Sequence, residues 1–565
     1  MFSIRKIGII GRTYRHLQRY RQILTVLFKY GFGDLVEVLK IEQYIEIGLK
    51  MISKKRRDRL EKLSRAERVR LAFEELGPTF IKFGQILSTR PDLIPVDFIN
   101  ELSKLQDMVP PFPFEEASEI IKVELGAAPE DLFASIDKTP MASASIGQVY
   151  RAKLKDGEDV AVKVQRPGIK KIIEVDLEIM FHLATLMEHH VEEMELHRPI
   201  KVVEEFSRTL EREIDYSIEA THMERFAREF LNDPTIYVPK VFRDTSTSRV
   251  LTMEFVDGIK ISEISGLDDA GYDRKIIAAR GVDLYLKQVF DNGFFHADPH
   301  PGNIFVLPNN VICLLDFGMM GTVDRQTRED FVDLIDSVVH KDTLSLTRSL
   351  LELTDYDEDP DIRLLERDLS DFIEQHLYKP LKDIEIGKML QGLLEVASRY
   401  RLRIPPNIFL MMKVFSEIEG VGLMLDPDFD MIKQAAPFIE RVKRARFHPK
   451  RIAGDIVTLV AELLKFIQQF PKDALEITRL IKQQKLSIRF EHKGFEPLLA
   501  TYNQISNRIS FSIVIAALII GSALIVFAKT PPLFHGLSII GIIGFISAAL
   551  MGIWLLVAIL RKGRL

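Results

Sequence analysis

The chain has 565 residues, 47% of them hydrophobic and 28% charged, a length that allows about three to five domains, and its mean hydropathy of +0.04 points to an apolar segment offsetting the charge. Lys+Arg 76 against Asp+Glu 81 gives a net charge of −5, which excludes a generally basic nucleic-acid binder; the hydrophobic content excludes a disordered chain. The single cysteine, Cys313, excludes an intramolecular disulfide or a multi-cysteine metal site and points to a reducing compartment.

The first ten residues carry charge but no adequate apolar core, and Arg12, Arg15 and Arg19 follow, so no secretory signal is expected. From Lys54 to Arg70 there are nine basic residues against three acidic ones, a cluster suited to a solvated helix face or to anionic lipid headgroups. Leu71 to Asn100 reads as helix with a stop at Pro91 and Pro95. Inside it lies Lys82-Phe83-Gly84-Gln85, whose glycine costs about 1 kcal/mol relative to alanine in a helix. Pro110-Pro111-Phe112-Pro113 marks a boundary. Val149 to Leu154 and Val160 to Gln165 read as a hairpin around Asp156-Gly157. In its second strand Val160, Val162 and Val164 share one face, while Ala161, Lys163 and Gln165 share the other. Helices follow at about Lys170 to Glu193 and Ile200 to Leu231, then a strand from Val250 to Val256. Asp283 to Gly318 reads as helix, loop, strand, loop, and the remainder to about Asn507 as amphipathic helix.

The apolar excess lies at the C-terminus. Ile509 to Ala528 and Gly536 to Leu560 carry no charge, and each is long enough to cross a hydrocarbon core of about 30 Å as a helix. Pro531 and Pro532 break the chain between them. Arg508, Arg561, Lys562 and Arg564 flank the pair against Lys529 in the turn, which places both ends in the cytoplasm. Gly541, Gly544 and Gly552 offer surfaces for close helix contact.

The residues suited to chemistry cluster between positions 296 and 318. His296-Ala297-Asp298-Pro299-His300-Pro301-Gly302-Asn303 precedes the apolar run Val311-Ile312-Cys313-Leu314-Leu315, which delivers Asp316-Phe317-Gly318. Phosphoryl transfer needs oxygen ligands for magnesium, a carboxylate near the attacking hydroxyl and a cation for the phosphates. Asn303 and Asp316 supply hard oxygens, Asp298 can accept a proton, and Lys163 can supply the cation. His296 fits a structural role better than acid–base work. His296, Asp298 and His300 could also be transition-metal ligands, but no second His/Asp cluster completes a shell. Cys313 reads as a small buried hydrophobe, and Met411 and Met412 as core packing.

Order and spacing match the protein-kinase catalytic loop, the D-F-G motif and the V-A-I-K strand lysine, here Val160-Ala161-Val162-Lys163. The glycine-rich loop is replaced by Ala142-Ser143-Ala144-Ser145-Ile146-Gly147-Gln148-Val149. With the Lys-x-Gly-Gln run and Glu213-Ile214-Asp215, the chain resembles the UbiB (ABC1/ADCK-type) family of atypical kinases. The resemblance implies that Lys163 contacts the α/β-phosphates and pairs with Glu219, that Asp298 is the catalytic aspartate, and that Asn303 and Asp316 bind Mg²⁺. It implies that Met141 to Val149 cover the phosphates of ATP, with Glu254 to Val256 presenting backbone to adenine. Lys82 and Gln85 would lie across the site near Glu213 and Asp215, in a regulatory role, where they obstruct a peptide acceptor. No A-P-E segment follows Asp316-Phe317-Gly318, a departure from ordinary protein kinases.

The expected fold is α+β: a bilobal protein-kinase-like domain with a helical N-terminal extension and a C-terminal two-helix transmembrane hairpin. The expected division is a basic helical extension at 1–110, a β-rich nucleotide-binding lobe with inserted helices at 111–258, and a helical lobe at 259–440. A connector at 441–507 and the hairpin at 508–565 follow. The expected function is that of a cytoplasmic-membrane kinase or ATPase using ATP and magnesium in ubiquinone or related prenylated-quinone biosynthesis. Its partners would be nucleotide, a membrane lipid or prenylated quinone precursor, and quinone-biosynthesis enzymes, with no nucleic acid. A non-catalytic nucleotide-binding scaffold and a true protein or small-molecule phosphotransferase are the alternatives.

Overall fold

The computed structural model describes residues 9–32, 63–90, 93–105, 110–190, 199–356, 359–377, 385–446, 496–534 and 537–561, with isolated positions between 449 and 475. Most of the basic cluster at 54–70, most of the 441–507 connector, and His535, Gly536, Lys562 and Arg564 lie outside the described residues. The chain forms two compact units, Met1–Ala453 and Gly454–Leu565.

In the first unit, an antiparallel sheet runs in the order Phe133–Ile136, Gly147–Leu154, Asp159–Gln165, Val250–Glu254, with Ala142–Ser143 added on Gly147–Leu154. The predicted hairpin is present and slightly longer than the sequence reading. Its alternation also holds. Val160, Val162 and Val164 are fully buried in one apolar cluster with Ile120, Ile121 and Tyr150, whereas Ala161 belongs to the larger cluster on the opposite face. Val250–Glu254 stops two residues short of the expected Val256.

Two helical readings and one strand reading need correction. Leu71 to Asn100 is not one helix but the end of Arg65–Leu76, then Pro78–Leu87 and Val96–Leu102. Gly77 has φ +93° and Pro78 opens the next helix, so the chain turns there. The Ile200–Leu231 stretch is likewise two helices, Pro199–Glu213 and Tyr216–Glu229. Asp215 breaks them by capping the second, its carboxylate accepting from the Ser217 amide at 3.0 Å. Asp215 and Glu219 are therefore not neighbours on one helical face. Between positions 283 and 318 the chain forms three strands rather than one: Phe294–His296, Ile304–Leu307 and Val311–Leu314.

The inserted helices Ile169–His190 and Pro199–Glu213 contribute no residue to the apolar cluster that holds Val160, Val162 and Val164. Their apolar faces (Ile173, Leu177, Phe206, Leu210) join Ile23, Ala72, Leu76 and Phe80 of the N-terminal helices in a separate core. The second lobe is helical, built on Arg274–Leu286, Arg325–Val339, Ile386–Arg399 and Pro406–Leu425 around one large apolar cluster. Met411 and Met412 lie inside it and Cys313 is fully buried. The α+β, two-lobed architecture agrees with the expectation.

In the second unit, Glu496–Phe527 and Ile539–Arg561 form a helical hairpin. Their stretches Arg508–Phe527 and Ile539–Leu556 are long and apolar enough to cross a membrane, and only 6% and 11% of these stretches are buried. A β-carbon on Gly541 would lie 2.4 Å from Val526, and one on Gly544 would lie 2.1 Å from the Ser522 hydroxyl. Two of the three glycines are thus at the helix contact; Gly552 is not.

Candidate active site

Three segments remote in sequence converge at Lys163. The lysine sits mid-strand, opposite Val149 on one side and Leu251 on the other. Its ammonium lies 2.9 and 2.8 Å from the two Glu219 carboxylate oxygens and 3.6 Å from Asp316 Oδ1. Tyr216, fully buried at the start of the Glu219 helix, places its ring 5.1 Å beneath the ammonium. Burial opposes charge on Lys163, but Asp316 and Glu219 outweigh it and hold the amine protonated well above its usual range. Lys163 in turn draws the Asp316 carboxyl down to about 2, with a further contribution from Lys82. Burial pushes Glu219 the other way, upward, against the pull of Lys163.

Asp316 holds φ +62°, a left-handed conformation uncommon outside glycine though more open to aspartate than to most residues, and its surroundings help enforce it here. His296 supplies part of that enforcement. Its Nε2–H donates to the Asp316 carbonyl at 2.8 Å, and its Nδ1 accepts from the Asp298 amide at 3.3 Å. A carbonyl only accepts, so this pair of bonds assigns the proton to Nε2. His296 is therefore a structural link between the two loops, and Gln288 fixes it from beneath by accepting its backbone N–H at 2.7 Å. His222 fastens the next residue, donating from Nδ1 to the Phe317 carbonyl at 3.0 Å. Neither Gln288 nor His222 carries a motif that would mark it in the sequence.

Asn303 donates from Nδ2 to Asp298 Oδ2 at 3.1 Å, which turns its amide oxygen away from that carboxylate. Its backbone carbonyl accepts from the Leu315 amide at 2.9 Å, tying the Asp298–Asn303 loop to the approach of Asp316. The free amide oxygen and the ionised Asp316 are the hard oxygen donors that Mg²⁺ prefers, and two such ligands suit an ion completed by phosphate oxygens and water. Among the described residues no group of three or more His, Cys, Asp or Glu could hold a metal unaided, so the reading of His296, Asp298 and His300 as a transition-metal site is not followed. His300 instead caps the turn at Pro301–Asn303, accepting from the Gly302 amide.

The alanine loop is a tight hairpin. Met141 donates to the Val149 carbonyl and Ala144 to the Gly147 carbonyl, both at 2.8 Å. Ala142 and Ser143 form the short strand, Ser145 is fully buried, and Gln148 lies with its amide 2.5 Å from the Tyr150 hydroxyl. Ile146 enters the N-terminal core, and Arg166 donates its backbone N–H to the Ile146 carbonyl at 2.6 Å. Gly147 is required where it stands: a β-carbon there would lie 2.2 Å from the Tyr216 hydroxyl and 2.6 Å from the Val164 carbonyl. Glu254 directs its carboxylate to the Tyr237 hydroxyl (2.6 Å) and the Lys240 amide (3.1 Å), and Val256 lies just beyond the strand.

The N-terminal extension reaches the site through Lys82, whose ammonium lies 2.5 Å from Glu213. Gln85 is used within the extension, donating to the Leu105 carbonyl at 3.1 Å. Gly84 allows that approach, since a β-carbon there would lie 2.3 Å from the Leu105 side chain. Lys82 and Glu213 are thus brought together, whereas the carboxylate of Asp215 caps its own helix. On the far side Lys413, from helix Pro406–Leu425, places its ammonium 3.7 Å from Asp298 Oδ1 and 3.5 Å from Glu417. Neither residue belongs to a recognisable motif; the lysine-to-glutamate spacing of four in an apolar helix is the only local signal.

A two-lobed fold with a strand lysine, its glutamate partner and paired loop carboxylates defines a kinase-like protein. Comparison with known sequences agrees: the ABC1 atypical kinase-like domain matches residues 104–350, the UbiB helical domain 369–430, and the ABC1/UbiB kinase-like C-terminal domain 493–561. A probable protein kinase UbiB of Marinobacter nauticus is 38% identical over 76% of this chain and 78% of its own length. The Pseudomonas aeruginosa protein of the same description is 36% identical over 81% and 87%. An uncharacterised protein from the hydrogenase 1 5′ region of Clostridium pasteurianum is 33% identical over 97% and 99%. The Rv3197–erythromycin complex structure from Mycobacterium tuberculosis overlaps 63% of this chain and 91% of its own, at 25% identity and a TM-score of 0.46. The chain belongs to the UbiB family.

Proposed function

We propose that the protein is an atypical kinase or ATPase that uses ATP and Mg²⁺ at the cytoplasmic face of a membrane in support of ubiquinone, or related prenylated-quinone, biosynthesis. The observation that carries the reading is the placement of Lys163 between Glu219 and Asp316, at 2.8 and 3.6 Å. Lys163 contacts the α/β-phosphates, the hairpin from Met141 to Val149 covers them, and the backbone of Glu254 to Val256 faces adenine. Asn303 and Asp316 would hold magnesium, which would supply neutralisation of phosphate charge. Asp298 takes the proton from the attacking oxygen as its bond to the γ-phosphorus forms and the bond to the bridging oxygen breaks. Membership of the UbiB family, whose resemblance implies ubiquinone biosynthesis, supports the quinone assignment, and prenylated precursors are lipid-soluble, which suits the apolar C-terminal hairpin. In this reading residues 1–110 are a regulatory extension, 111–258 and 259–440 the two lobes, 441–507 a connector and 508–565 the anchor.

The test is ATP hydrolysis by the full chain in lipid vesicles, wild type against Asp316→Asn. Equal rates would remove Asp316 from the metal site. Profiling quinone intermediates in a deletion strain tests the pathway: an unchanged profile excludes it. A second reading, a nucleotide-binding scaffold, is favoured by the anchoring of Ile146 in the N-terminal core. Full complementation by both Asp298→Asn and Lys163→Ala would decide for the scaffold.

A further inference from the structure

The nucleotide reading places a triphosphate, with about four negative charges, between two carboxylates, Asp298 and Asp316. Lys163 is already matched by Glu219 and Asp316. From Asp298 to Asn303 the catalytic loop carries no lysine or arginine, and the Nδ1 of its one histidine, His300, accepts from the Gly302 amide. Magnesium held by Asn303 and Asp316 would screen the phosphates on the Asp316 side; on the Asp298 side like charges in a partly buried site still repel, and a further cation there would offset them.

Lys413 stands there. It projects from Pro406–Leu425, inside the segment matched by the UbiB helical domain, with 22% of its side chain exposed. Its ammonium is 3.7 Å from Asp298 Oδ1 and 3.5 Å from Glu417 Oε1, ion-pair distances too long for tight hydrogen bonds. Glu417 Oε2 and the Tyr285 hydroxyl are buried nearby with no hydrogen-bond partner among the described residues, and both Asp298 and Glu417 act electrostatically on Tyr285. The amine is therefore held loosely by two acids on a flexible four-carbon stem, an arrangement that can re-aim.

We propose that Lys413 is a catalytic residue that contacts the terminal phosphate of a bound nucleoside triphosphate, leaving Asp298 free to take the proton of the attacking oxygen. Lys413 keeps its own proton throughout; it neutralises charge on the phosphoryl oxygens and supplies no atom to the product. The inference rests on the nucleotide reading above. It assigns the helical segment after the kinase-like domain a direct part in the site.

The test is equilibrium binding of Mg²⁺ with ADP, and with the non-hydrolysable β,γ-imido analogue of ATP, to the full chain in lipid nanodiscs. Lys413→Gln, which retains most of the stem, is compared with wild type and with Lys413→Arg. The expected result is at least a tenfold loss of triphosphate affinity with ADP affinity unchanged, about the effect of one charge-assisted hydrogen bond, and substantial recovery in Lys413→Arg. A merely structural role would weaken both nucleotides together. Equal loss of both, or loss of neither, overturns the role of Lys413 while the nucleotide reading stands. A folded wild type that binds neither overturns both. If Lys413→Gln fails to fold, Lys413→Met carries the same comparison.

Discussion

Lys82 of the N-terminal extension and Glu213 of an inserted helix form an ion pair at 2.5 Å, with side chains only 12% and 13% exposed. Removing one partner of such a pair strands the other charge, at a cost of about 3–5 kcal/mol. Lys82→Met and Glu213→Leu should each lower the thermal midpoint clearly. The double variant Lys82→Met/Glu213→Leu should recover most of the loss. Additive effects in this double-mutant cycle would show that the two charges do not interact.

Lys163→Met removes the cation that Glu219 and Asp316 share. The expected loss is about 10²-fold in ATP turnover, of the size seen when one preorganised electrostatic contact is deleted. Asp316→Asn should abolish the difference between ATP binding with magnesium and with excess EDTA. Titrations in both conditions check it, and a magnesium dependence identical to wild type would contradict the assignment.

Gly147 and Tyr216 offer a packing test. The Tyr216 hydroxyl is buried without a hydrogen-bond partner among the described residues, so Tyr216→Phe should be neutral or slightly stabilising. Gly147→Ala must displace that hydroxyl and press on the Val164 carbonyl, an overpacking that costs about 1–3 kcal/mol. The double variant should be less destabilised than Gly147→Ala alone, because one of the two obstructions is gone. Chemical denaturation of the three variants gives the comparison.

Glu417 gives a pH dependence. Burial raises its carboxyl from 4.5 to about 7, only partly opposed by Lys413. Between those values the folded chain holds a proton that the unfolded chain has released. Stability from this group is thus complete below about 4.5 and falls as pH rises through about 7. Glu417→Gln should flatten this fall, so that the difference in thermal midpoint between variant and wild type grows in the variant's favour from pH 5 to pH 8. A constant difference across that range would refute the assignment.

Local order was readable from the chain alone. Alternation placed Lys163 opposite the valine face of its strand, Asp156-Gly157 marked the hairpin, and the two uncharged C-terminal runs form the helices expected of them. These features depend on neighbours within a few residues, where backbone geometry and side-chain periodicity act. Composition and motif spacing likewise sufficed for the family.

Where partners come from distant segments, only the folded chain decided. Asp215 looked like a companion of Glu219 on one helix, yet it caps that helix, because its carboxylate satisfies an otherwise unpaired amide. Ile146 sits in the N-terminal core rather than lying free over the site. Lys413 meets Asp298 only because the fold brings the Pro406–Leu425 helix to the Asp298–Asn303 loop, and no periodicity or spacing encodes a contact between residues so far apart. Burial of apolar surface chooses those long-range contacts collectively, so they are a property of the packed chain and not of any short stretch of it.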